Sequence, residues 1–281
     1  MKINGIRCLR RVKKRCALPL IFIALCALSA EFAFPEILPP TEKSPRDVPW
    51  KVGEKLSFDL YYGFVIAGQA FLEVRDTDGL SVPGNNGEKV QAYHIVAEAH
   101  STPFVDVFYK VRDKNESWLD SGSWISHRFE QHNQEGKFIL DQTVEFDWKN
   151  KRFKNLELVK GRAPKNEEGD LIIPAVDTLS CLYETRAKTF DVGDEFTLDV
   201  HSGRNWPLVV KVLRREKVKV PAGTFDCYVV EPFLRERGLF IQKGKKLQVW
   251  LTADDRKMPV KMTAEIFIGH VSAELVRIEG K

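Results

Sequence analysis

One helical stretch, residues 174–190 (PAVDTLSCLYETRAKTF), stands alone in a chain that otherwise alternates apolar and polar residues. It constrains the fold most, because strand-like sequence flanks it on both sides and has to supply the surface it buries against. Asp177 is suited to cap the helix, expected over 177–188, and Val176 to staple its first turn. At about 100° per residue, Leu179, Leu182, Tyr183 and Arg186 fall on one face. Cys181, Glu184 and Thr185 fall on the other.

Around the helix, about a dozen short segments alternate with a period of two and are separated by turn residues. The pattern begins at 55–62, where Leu56, Phe58, Leu60 and Tyr62 alternate with more polar neighbours, and runs to 271–278. Expected strands include 90–100, 105–114, 125–132, 138–148, 152–159, 208–220, 225–232, 239–242, 247–252 and 260–268. The stretches 78–89 and 161–170 read as a polar loop and a charged connector. Hairpin spacing with a single helix predicts a mainly β, antiparallel protein of two curved sheets or half-barrels. An echo favours an internal duplication. Residues 50–60 (WKVGEKLSFDL) and 190–200 (FDVGDEFTLDV) share Val, Gly and Asp at matching positions, and Trp118-Leu119 is echoed by Trp250-Leu251. The halves would span about 50–160 and 190–279 of a β-rich domain over 50–279.

Charge is unevenly placed. Seven of the 43 basic residues lie in residues 1–30 with no acid, leaving 36 against 39 acidic residues elsewhere. So balanced a remainder gives no reason to expect nucleic-acid binding. Residues 16–30 (CALPLIFIALCALSA) follow that basic block as an apolar run, the order of an export signal or an N-terminal anchor. The five prolines of 31–49 read as an extended tether. The predicted place is the periplasm or cell envelope, with membrane contact through the leader if it stays attached. Cys181 and Cys227 are expected as two free thiols.

No phosphate loop, nucleophile elbow or zinc-protease motif is present, no cofactor is implied, and the six histidines are scattered. His127 and His132 point to opposite faces of one strand, so no local metal site is expected. Asp254-Asp255 has the shape of a turn. Arg186 is the unusual residue, a cation on an apolar helix face, where it either pairs with a carboxylate on a neighbouring strand or grips an anionic head group. Lys110, Arg112 and Lys114 form a basic stripe. The candidate ligand-binding residues are Arg186, Tyr183, Trp250, Trp118 and Arg112.

Several segments, in order, resemble a family of bacterial envelope proteins known as the domain of unknown function 3108. They are VGEKLSFDLYYGFVIAGQAFLEV from Val52, FYKVRDKNESWLD from Phe108, DTLSCLYETRA from Asp177 and FDVGDEF from Phe190. REKVKVPAGTFDCYVVEP from Arg215, VWLTADDRKMPVKM from Val249 and the closing IGHVSAEL continue the match. The resemblance implies an exported β-rich protein and supplies no activity or catalytic residues. Cys181 departs from it, standing where a small residue such as Ala is expected. The leading expectation is a non-enzymatic binding or carrier module for an apolar or glycolipid-like ligand, by loose analogy with periplasmic lipoprotein carriers. The alternative is a scaffold that docks other envelope proteins. A carrier requires an unfilled apolar cavity, and a scaffold a filled interior with an exposed patch.

Overall fold

The computed structural model describes residues 48–76, 79–81, 89–201, 205–234, 246–265 and 269–280. The leader, the tether up to residue 47, the expected strand 239–242 and residues 266–268 lie outside the described residues. The first half of the chain carries β1 (Lys55–Tyr62), β2 (Val65–Arg75), the two-residue strands β3 (Leu80–Ser81) and β4 (Lys89–Val90), and β5 (Ala92–Ser101). A short helix α1 (Pro103–Asp106) leads to β6 (Val111–Asp120), β7 (Ser126–Glu135), β8 (Phe138–Asp147), β9 (Arg152–Val159) and β10 (Lys165–Asp170). Helix α2 (Ser180–Ala187) follows. Then come β11 (Glu195–His201), β12 (Asn205–Val220), β13 (Gly223–Leu234), β14 (Leu247–Thr252), β15 (Pro259–Glu265) and β16 (His270–Glu279).

Fourteen of these strands form one antiparallel sheet that does not close, in the order β10-β9-β8-β7-β6-β5-β2-β1-β16-β15-β14-β13-β12-β11. Each half is a meander, and β1 joins them by pairing with β16. The segment carrying α2 therefore runs from one edge of the sheet to the other. Val176 sits at its crossing point. Its N–H donates to Asp199 O at 3.0 Å and its carbonyl accepts from His201 N at 2.8 Å, while Ala175 O accepts from Ser126 N at 3.2 Å.

The echo between the halves is an echo of geometry. Gly53 and Gly193 both have positive φ, 88° and 93°, where a side chain would be strained. Gly53 N donates to Val74 O and Val74 N to Glu54 O, and Gly193 and Val212 repeat that pair of bonds with Asp194. In the β6–β7 and β14–β15 pairings the register shifts between Trp118 and Leu119 and between Trp250 and Leu251. Each shift precedes a turn closed by one backbone bond, Asp120 N to Ile125 O and Thr252 N to Met258 O, both 2.9 Å.

Three expected elements differ. Residues 105–110 are not strand, because Thr102 caps a helical turn from Pro103 and the chain returns to the sheet only at Val111. The charged connector ends in the edge strand β10, whose KNEEGD sequence buries no face and so lacks alternation. Helix α2 is shorter than expected, although Asp177 does cap it, its Oδ1 accepting from Leu179 N at 2.8 Å and Ser180 N at 2.9 Å. Thr185 is buried, which corrects its placement on the wet face. Cys181 also packs against the core, because α2 is enclosed on more than one side.

Candidate functional site

Helix α2 meets the sheet through two polar clusters set in apolar surroundings. At its start the fully buried Asp177 gathers the Ser117 and Ser126 hydroxyls on Oδ2, each at 2.5 Å, besides the two helix N–H groups. Ser180 Oγ bonds Ser117 Oγ at 2.6 Å. Burial pushes the Asp177 carboxyl up, and these donors oppose that rise. The cluster therefore pins the helix to β6 and β7. Leu179 and Leu182, half-buried, bridge the apolar groups on either side, those around Trp50, Leu119 and Leu251 and those around Phe58, Val229 and Leu275.

At the other end, Arg186 donates from Nη1 to Glu54 Oε1 at 2.7 Å and from Nη2 to Glu54 Oε2 at 3.1 Å. Its Nε reaches Arg256 O at 3.3 Å. Side-chain exposure is 0% for Arg186 and 4% for Glu54. The guanidinium lies 5.3 Å from the Trp50 ring centroid and 5.2 Å from that of Tyr183, and Tyr183 meets Trp50 edge-on. Every nitrogen of Arg186 thus has a protein acceptor, so of its two expected roles the geometry matches carboxylate pairing. Glu54 escaped sequence reasoning because an acid after Gly53 looks like a turn residue.

The five candidate residues are not brought together. Arg186 and Tyr183 are neighbours under the helix. Trp118 sits on the opposite face of the sheet, since its neighbours Ser117 and Leu119 point toward α2, and Trp250 is buried in the other apolar group, beside Val229 and Leu275. Trp118 stacks on His94 at 4.6 Å with Arg128 above it, and Trp250 donates to Glu216 at 2.7 Å with Arg214 and Lys261 nearby. Arg112 lies at the far end of the strands, paired with Asp106 at 2.5 Å.

Other groups have chemistry of their own. Glu116, Glu130 and His132 place ligand atoms within 4.8 Å of one another, a cluster hidden in sequence because it spans two strands. Its carboxylates already face cations, Lys114 at 2.9 Å from Glu116 and Arg128 against Glu130. Cys181 and Cys227 are free, as expected, and burial raises both thiols to about 12, far from a reactive thiolate. The cleft beside α2, lined by Trp124, Val176, Glu184 and Asp199 among others, holds about 180 Å³. That is below the ~300–1,000 Å³ usual for a small-molecule site. Two larger clefts, about 380 and 460 Å³, have walls rich in charge, with Arg215, Asp226 and Asp254 in one and Glu145, Lys154 and Glu168 in the other.

The most exposed apolar side chains lie instead at the end of the strands remote from α2, with Ile172, 65% exposed just before α2, the chief exception. The β1–β2 turn carries Phe64, 95% exposed, and the β5–β6 connection carries Phe104, Val107 and Phe108 at 71, 76 and 77%. Among the described residues these are the four most exposed large apolar side chains. Thr102 N donates to Ala67 O at 2.9 Å and Gly136 N to Lys110 O at 2.8 Å, which ties this connection to the neighbouring turns. Nothing in the sequence marks it, since an exposed phenylalanine and a core one look alike in composition.

The chain matches the family described as protein of unknown function DUF3108 over residues 57–276, and it belongs to that family. No curated protein matches it. Among solved structures, a beta-barrel-like protein of the domain of unknown function DUF1849 from Brucella abortus aligns with a TM-score of 0.51 at 10% identity, over 81% of this chain and 97% of that one. This likeness concerns the fold alone. An exported protein with a YmcC-like fold from Bacteroides fragilis (TM-score 0.30, 12% identity, 83% of this chain and 98% of that one) is too distant in score to bear on fold or function. The same holds for a lipoprotein from Parabacteroides distasonis (0.29, 10%, 82% and 97%).

Proposed function

We propose that this chain is a non-catalytic module of the cell envelope, outside the cytoplasmic membrane, that docks through its apolar end and encloses no ligand under its helix. One observation carries the reading: the interior beneath α2 is occupied by Trp50, Tyr183 and the Arg186–Glu54 pair, while the most exposed apolar side chains gather at the opposite end. Of the two arrangements that separate carrier from scaffold, this is the scaffold's. The export order of residues 1–30 supports the location. Among the described residues no helix is long and apolar enough to cross a membrane. The non-catalytic reading is supported by carboxylates that already hold partners, as at Glu54, Asp177 and Glu116.

Photocrosslinking amino acids placed singly at Phe64, Phe108 and Lys154 of the full chain, in cells, test this. Docking predicts adducts from the first two positions and none from Lys154, which is exposed on β9. Equal yields from all three would remove the reading.

A further inference from the structure

The exposed end is built as projecting knobs. Helix α1 has four residues and buries none of them. Phe104 and Phe108 touch edge to face, ring centroids 5.9 Å apart, and so form one wedge with Val107 beside them. A helical turn that exposes Phe104 and only half-buries Val105 gains little from burial in its own fold. The β1–β2 turn carries a second knob, Phe64, and Tyr109, Val65, Ile66 and Phe138 form a less exposed collar.

The charge around these knobs has one predominant sign. Arg112 neutralises Asp106 and holds its carboxyl down at about 2 through their hydrogen bonds. Among the described residues, the exposed charges beside α1 and on the β7–β8 and β9–β10 turns are Lys110, Lys137, Lys160 and Arg162, with Glu135 half-buried among them; beyond β1 the exposed Glu265 and Lys246 lie side by side with opposite sign. Lys137 belongs to the β7–β8 turn, which Gly136 N joins to Lys110 O, and Lys160 N donates to Ile139 O at 3.0 Å. Protruding aromatic tips ringed by cations match the boundary of an anionic bilayer, where apolar groups enter the acyl region and cations lie at head-group level.

We propose that this end seats on an anionic lipid surface, with Phe64, Phe104, Val107 and Phe108 inserted and Lys110, Lys137, Lys160 and Arg162 among the head groups. The inference rests on the docking reading and names its occupant. An environment-sensitive fluorescent amino acid at the exposed Val107 of the full chain tests it independently of the leader, because the readout is the depth of that one site. With vesicles of phosphatidylethanolamine and phosphatidylglycerol containing brominated acyl chains, the probe is quenched. Quenching falls at least about threefold with phosphatidylcholine alone, and also in a Lys110→Glu/Lys137→Glu variant. A probe that stays in water while the chain is vesicle-bound overturns the lipid assignment. If the crosslinker at Phe108 then captures one defined envelope polypeptide, docking stands with a protein occupant. If it captures neither lipid nor polypeptide, both readings fall.

Discussion

Arg186 and Glu54, 132 residues apart in sequence, are joined by two hydrogen bonds with both side chains almost wholly removed from water. The pair fastens α2 to the segment just before β1, and so fastens the crossover between the sheet edges to the seam where the two halves meet. Removing Arg186 leaves the buried Glu54 carboxylate only the longer contact to Arg256, 3.6 Å, and removing Glu54 leaves the buried Arg186 with no carboxylate. Arg186→Met is expected to cost about 3–5 kcal/mol in urea unfolding, whereas Arg186→Met with Glu54→Leu recovers most of that loss. A double variant as unstable as the single one would show that the site needs the charges themselves.

Asp177 holds the other end of α2. Asp177→Ala leaves two serine hydroxyls and two helix N–H groups without their acceptor, and should cost about 3 kcal/mol. Ser117→Ala, which leaves the Ser126 and backbone bonds in place, should cost about 1 kcal/mol in the same assay.

The two sides of the helix are expected to respond unequally. Leu182 is half-buried between two apolar groups, so Leu182→Ala should destabilise by about 2 kcal/mol. Among the described residues Glu184 pairs with Lys188 alone, at 3.2 Å and part-exposed, and Glu184→Ala should stay within about 0.5 kcal/mol. Equal effects in thermal or urea unfolding would make α2 a surface appendage.

His201 sets an acid limit. It is buried against Phe146 and Phe153 with neither ring nitrogen hydrogen-bonded among the described residues, and burial lowers its pKa from 6.5 to about 4. The folded state therefore binds fewer protons than the unfolded one. Stability is whole above about pH 6.5 and is lost as pH falls toward 4, by about 3 kcal/mol from this residue. His201→Phe should leave stability near pH 7 within about 1.5 kcal/mol of wild type and flatten the acid limb. Urea midpoints at about pH 7 and about pH 4.5 give the comparison.

Much of this fold was legible because alternation is enforced wherever one strand face meets the core, as in Leu56 and Phe58 of β1. Gly53 and Gly193 were legible as a repeated turn, and Asp177 as a cap, because each answers a local backbone demand. β10 was hidden since an edge strand with no buried face needs no alternation. Helix α1 was hidden because Val105, Val107 and Tyr109 happen to alternate, and the Thr102-Pro103 cap overrode that pattern. The partner of Arg186 was out of reach for a different reason: pairing across the sheet depends on topology, which no local period records.

On the docking reading, the space under α2 is filled and contact is made at the opposite end. Native mass spectrometry of the chain purified from its host, with Phe64, Phe104 and Phe108 replaced by serine to abolish contact at that end, measures this directly. The expected result is the bare polypeptide mass. A stoichiometric lipid-sized adduct retained by this variant would contradict it and place a ligand inside the fold.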